Sequence, residues 1–156
     1  MIIGIDPDPK GLAWVAYEPP TIVAGFGQGT VEDVLDPIQG QIHHAGIESF
    51  IPAIEMVACY GMAVGHEVFE TAVMVGRIYQ RLLPLSPRLI YRKDVKMALC
   101  HNMRAKDTNI RAAIIDIFGG SAETKKGGKL HGIHGDLWAA LGVALTADLA
   151  IRQEST

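Results

Sequence analysis

The sequence predicts an α/β fold around a mixed five-stranded sheet, organised as a single domain over residues 1–156. Three observations carry this. Three apolar runs separated by turn residues open the chain, close enough to pair as antiparallel neighbours. Beyond residue 50, short apolar runs alternate with segments of helical spacing, and such crossovers imply parallel strands. With 156 residues, 49% hydrophobic and 20% charged, the chain has a globular balance and length enough for one core.

Each element follows from its own residues. "MIIGID" (1–6) is an apolar strand. "GLAWVAYE" (11–18) alternates as a second, after the turn "PDPKG" with its two prolines and glycine. "TIVAGFGQGT" (21–30) is a third strand whose glycines mark candidate bulges. Residues 31–50 read as a helix interrupted by Pro37 and Gly40. "IPAIEMVACY" (51–60) is an apolar strand with one charge, Glu55. Residues 66–83 place Val68, Ala72, Val75, Ile78, Tyr79 and Leu82 at helical spacing. "RLIYR" (88–92) is a short strand and "KDVKMALC" (93–100) a short helix. Residues 105–120 form a helix that Gly119 and Gly120 stop. The polar, Gly-rich and basic stretch 121–135 is expected to be a flexible loop. From Leu137 onward the chain is helical, with Leu137, Leu141, Ala144 and Leu145 on one side.

Composition excludes some classes. No apolar run reaches the roughly 18 residues that span a membrane, and no signal-like segment opens the sequence, so the expected location is cytoplasmic. Cys59 and Cys100 form no C-x-x-C pattern and suggest a reducing compartment. The net charge is −3, yet 12 of the 14 Lys and Arg residues lie between Arg77 and Lys129. That window holds four acids and a balance of +8, against −11 for the remainder. Two opposed blocks suggest a basic face for phosphate and an acidic part for something else.

The acids are unusually placed. Asp6 ends the first strand, Glu55 sits inside an apolar strand, and Asp136 opens the last helix. A carboxylate in an apolar strand stays ionised only beside a partner, and no Lys or Arg lies within five residues of Glu55. A divalent cation would satisfy all three, and Mg²⁺ takes oxygen ligands of this kind. Asp136 also occupies a favoured helix-cap position and is expected to do both jobs. Asp8, Glu48, Glu67 and Glu70 fit solvated positions. His131 and His134 stand three apart without a cysteine, which argues against structural zinc. Trp14 and Trp138 read as core, and His43 and His44 as surface.

"GIDPDPKGLAWVAYE", "AIEMVACYGMAVGHEVFETAVMVGRI", "YRKDVKMALCHNMRAKDTNIRAAIIDIFG" and "GDLWAALGVALTA" together resemble, in order and spacing, the RuvC-type Holliday junction resolvases of the ribonuclease H-like superfamily. The resemblance places Asp6, Glu55 and Asp136 on the family's catalytic, metal-binding acids. Lys96 falls on the lysine of a Val-Lys pair implicated in catalysis or in contact with the scissile phosphate. There are departures. The family's fourth acidic position falls on Ala139, leaving His134 as a candidate fourth ligand. Its second lysine falls on Asp107, next to Lys106. The aromatic that opens the junction falls on Ala58, with Tyr60 nearby. The Lys-Lys-Gly-Gly loop with Trp138 is more similar to the divergent, phage-associated branch.

The resemblance implies a metal-dependent endonuclease acting on branched or four-way DNA. Two Mg²⁺ ions, for which Mn²⁺ is expected to substitute, would support hydrolysis of the phosphodiester. Lys10, Arg92, Lys93, Arg104, Lys106, Lys125, Lys126 and Lys129 would contact DNA, and the near-twofold junction favours a homodimer. Ala139 supports an alternative, a DNA-binding module that kept the fold without cutting. An actin-like phosphotransferase also begins with a strand-end Asp, but needs about twice this length.

Overall fold

The computed structural model describes residues 1–36, 40, 50–59, 61 and 63–155. Its strands are β1 (Ile2–Asp8), β2 (Gly11–Glu18), β3 (Ile22–Gly29), β4 (Ile51–Met56) and β5 (Arg88–Tyr91). They form one sheet in the order β3-β2-β1-β4-β5. β1, β2 and β3 pair antiparallel, while β1–β4 and β4–β5 are parallel, so the expected mixed α/β sheet is present. Helical residues 31–36 (α1) follow β3. Then come α2 (His66–Leu82), α3 (Arg92–Cys100), α4 (Asp107–Phe118) and α5 (Leu137–Glu154). Glu48, His43, His44 and Tyr60 lie outside the described residues.

Side chains alternate across each strand, and this sorts the core into two layers. Ile2, Ala13, Val15, Tyr17 and Ala53 face a cluster built with α3, α4 and α5. Ile3, Ile5, Leu12 and Ile54 face the other side, against α1 and Met74, Val75, Ile78 and Leu82 of α2. Each fully buried Leu, Ile or Val contributes about 1.5–3 kcal/mol. Val75, Ile78 and Leu82 are among the residues that the spacing of α2 marks, and Met74 is a further inward one.

Several boundaries differ from expectation. β1 runs on to Asp8, because Pro7 and Asp8 still pair with Leu12 and Gly11. β4 stops at Met56, one residue past Glu55. The register of β2 against β3 shifts between Ala16 and Tyr17, whose partners are Gly25 and Val23, so Ala24 is an additional residue. α5 is not one-sided: an unbroken run from Leu137 to Asp148, save Ala139, is buried. A helix enclosed on all sides needs no polar face.

Residues 121–135 form a 3-10 turn, Ser121–Thr124, followed by further hydrogen-bonded turns. Leu130 and Ile133 anchor them in the core. The chain then tracks along β3. Lys129 Nζ donates to Thr21 Oγ1 at 3.2 Å, Gly132 packs on Phe26, and Asp136 shares a cavity with Gln28 and Gly29.

Candidate functional site

The last paired residues of β1 and β4 are Ile5 and Ile54. Asp6 and Glu55 therefore follow on neighbouring strands and share the face that α5 covers. That helix sits very close to β1. A Cβ on Gly4 would lie 2.0 Å from the Ala140 carbonyl oxygen and 2.9 Å from the Ala144 Cβ. The approach brings the start of α5 beside the end of β1. Asp6, Glu55 and Asp136 consequently line one cavity of about 230 Å³, together with Arg92 and Asp107.

The carboxyl groups oppose one another's ionisation. Asp6 is pushed up to about 8, first by burial, then by the charge of Glu55, a hydrogen bond with it, and the charge of Asp136, while Arg92 acts in the other direction. Arg92 supplies the partner that the sequence around Glu55 lacks. Its Nη1 lies 3.5 Å from Glu55 Oε1, and its Nη2 donates to Asp107 Oδ1 at 2.5 Å. Burial works against the Arg92 charge, and the carboxylates outweigh it and hold its pKa up.

This donor set fits a hard divalent cation in kind: three oxygen-bearing side chains, one driven to keep its proton where no cation sits among them. Among the described residues, no three His, Cys, Asp or Glu side chains are already spaced around an ion position. Asp6 and Glu55 are instead close enough for each to weigh on the other, and the neighbouring Glu55 helps hold the Asp6 carboxyl up.

The expected cap at Asp136 is corrected by the structure. Asp136 holds the N-cap position and its carbonyl accepts from Ala140 N at 3.0 Å, but its side chain makes no capping hydrogen bond. Its backbone is already helical, with φ −71° and ψ −13°. A capping side chain needs extended backbone to reach back over the first turn, and Asp136 is left exposed at the cavity edge.

The other candidates spread widely. Lys10 lines a second cavity with Asp6 and Asp136. Lys96 lies one turn beyond Arg92 on α3, half-buried, and does not line the carboxylate cavity. Lys93 stands 5.7 Å over the Tyr91 ring. Arg104 and Lys106 flank the turn before α4 and are exposed, as are Lys125 and Lys126. Lys129 sits at the β2–β3 turn, the end of the sheet opposite Asp6. His134 Nδ1 lies 2.7 Å from the Gly132 carbonyl, which leaves Nε2 the acceptor when Nδ1 donates. Ala139 lines the carboxylate cavity.

Sequence reasoning missed two residues. Asp107 fixes Arg92. Arg111 stacks on Trp138, its guanidinium carbon 4.8 Å from the ring centroid. Neither relationship has a local signal, because the partners are far apart in the chain. Trp138 is buried as expected, whereas Trp14 is half-buried against Gly25 and Gly27.

No family model and no curated protein matches the sequence. Solved structures do match. Thermus thermophilus RuvC in complex with a Holliday junction substrate aligns with a TM-score of 0.66, covering 98% of this chain and 95% of that one at 17% identity. The chain shares the RuvC fold. A second structure of Thermus thermophilus RuvC gives a TM-score of 0.62, 18% identity, and coverage of 98% and 96%. The resemblance to RuvC in the sequence motifs is thus accompanied by a RuvC-like fold across nearly the whole chain.

Proposed function

We propose that this protein is a divalent-metal-dependent endonuclease acting on branched DNA. The observation that carries the reading is the convergence of Asp6, Glu55 and Asp136 on one cavity in a chain with the RuvC fold. These three acids would hold Mg²⁺ or Mn²⁺, with His134 as a further ligand. Bound there, the ion supplies Lewis acidity and activates water for phosphodiester hydrolysis. The protein's own groups do the rest. Asp6, held protonated by burial and its acidic neighbours, would have to be ionised to serve as a ligand. Arg92 holds Glu55 in place and offers positive charge to a phosphate, and Lys96 is a second source of it one turn away. Lys10 and the exposed basic residues before α4 draw in the DNA backbone.

The reading extends to a homodimer, as two cuts across a four-way junction favour twofold symmetry. α2 offers the surface: Phe69 and Val73 are 63% and 66% exposed on its outer side, and Leu83 just beyond it 46%. Such an apolar stripe is suited to a second copy. The cytoplasm and a phage-associated origin belong to the same proposal. No helix among the described residues is long and apolar enough to cross a membrane.

The test is nicking of a synthetic four-way junction with Mg²⁺ or Mn²⁺, against linear duplex, for the wild type, Asp6→Asn, Glu55→Gln and Asp136→Asn. Metal-dependent nicking by the wild type, lost in the variants, supports the reading. A second reading has its own observation: Ala139 stands in the cavity where the family carries an acid. Tight junction binding with no cutting under either metal would favour a DNA-binding module.

A further inference from the structure

The carboxylate cavity contains two guanidinium groups in different states. Arg92 is engaged by Glu55 and Asp107. Arg111 is exposed, and among the described residues no carboxylate pairs with it; its ring contact is with Trp138. An arginine braced on an aromatic face keeps its charge and its planar fork of donors available. Next to it lies a second irregularity. Trp138 is 9% exposed, and its Nε1–H is buried without a hydrogen-bond partner. A buried donor left without an acceptor is costly and calls for an explanation, of which a bound ion is one.

Both features call for the same ligand chemistry, an anion with several acceptor oxygens. The nearby acids disfavour a highly charged anion, and a phosphodiester carries a single charge and two free oxygens suited to bidentate pairing with a guanidinium. Ala139 lines the same space with a small side chain. We propose that Arg111, braced on Trp138, seats a backbone phosphate of DNA beside the carboxylates. This rests on the nuclease reading and adds to it a phosphate subsite on α4 and α5. The subsite distributes the work: Arg92, paired with Glu55 and Asp107, adds charge from a fixed position, and Arg111 anchors the strand.

The experiment has two arms, each on the full chain. In the first, binding of a labelled four-way junction is measured in Ca²⁺ across a KCl series for the wild type, Arg111→Ala, Arg111→Lys and Trp138→Phe. Arg111→Ala is expected to bind about tenfold more weakly, with a salt slope shallower by about 0.9. Arg111→Lys recovers the slope but not the full affinity, because an ammonium neither forks nor stacks as a guanidinium does. Trp138→Phe keeps the aromatic brace and removes the donor, so affinity falls about threefold with the slope unchanged. A structural role alone would move the melting temperature of these variants and leave the slope intact.

In the second arm, Trp14→Phe leaves Trp138 as the single indole of the chain's two, and inorganic phosphate is titrated against its fluorescence. A saturable change, lost on adding Arg111→Ala, supports the subsite even if no junction is bound or cut, which separates it from the nuclease reading. Wild-type affinity and slope in Arg111→Ala, or a phosphate response indifferent to Arg111, would overturn the inference.

Discussion

The Arg92 guanidinium stands 3.5 Å from the Glu55 carboxylate. It also reaches Asp107 and so links the acidic strand β4 to the start of α4. Arg92→Ala strips positive charge from a cluster of acids. Without divalent ions, the variant is expected to lose about 1–3 kcal/mol, between the values for exposed and buried pairs. Saturating Mg²⁺ should recover most of this, because the cation takes over the neutralising role. Chemical unfolding of the wild type and the variant, in EDTA and in Mg²⁺, reads both quantities. An equal loss in the two conditions would contradict it.

Asp6 makes stability depend on pH. Its carboxyl is pushed up to about 8 in the folded protein, against an ordinary value of 3.8. Between those values the unfolded chain releases a proton that the folded chain keeps, so the folded state is disfavoured as pH rises. Metal-free protein should lose stability steadily from about pH 4 to pH 8. Asp6→Asn should flatten that slope, and stabilisation by Mn²⁺ should grow with pH in the wild type. Unfolding curves at several pH values in EDTA check the first point, and melting temperatures with Mn²⁺ the second.

The outer stripe of α2 sets an expectation for assembly. Wild-type protein should sediment at twice the 16.8 kDa chain mass. Phe69→Asp, which places a charge where that apolar surface would be buried, should sediment as the single chain while retaining its helical content.

The basic residues are not equivalent. Lys10 borders the cavity of Asp6 and Asp136, and Lys129 is bonded to Thr21 at the far end of the sheet. Lys10→Ala should lower the salt slope of junction binding by about 0.9. Lys129→Ala should leave it unchanged. Fluorescence anisotropy across a salt series distinguishes the two.

The strands and helices were legible because each leaves a periodic trace over a few residues. β1, β2 and α2 are apolar at the spacings that their buried faces require. Asp6 and Glu55 were legible for the opposite reason, as acids in places that otherwise exclude them. What could not be read was anything made by three-dimensional closure. Arg92 belongs among phosphate-seeking cations by sequence, and its attachment to Glu55 depends on β4 and β5 lying side by side. Arg111 is one more exposed helix arginine until α5 places Trp138 beneath it. Asp136 looked like a cap because composition reports the residue type and not its backbone angles. Lys125, Lys126 and Lys129 joined one basic block in the sequence, although residues 129–136 carry the chain from one end of β3 to the other.

The contact of Gly4 with Ala140 has a kinetic side. It closes a loop of well over a hundred residues, and contacts of such sequence separation are slow to form. A half-folded molecule can therefore possess most of its sheet, with Asp6 and Glu55 already on neighbouring strands, while Asp136 is still apart. The cavity that all three acids line is completed only when α5 arrives, so it is among the last parts of the molecule to form.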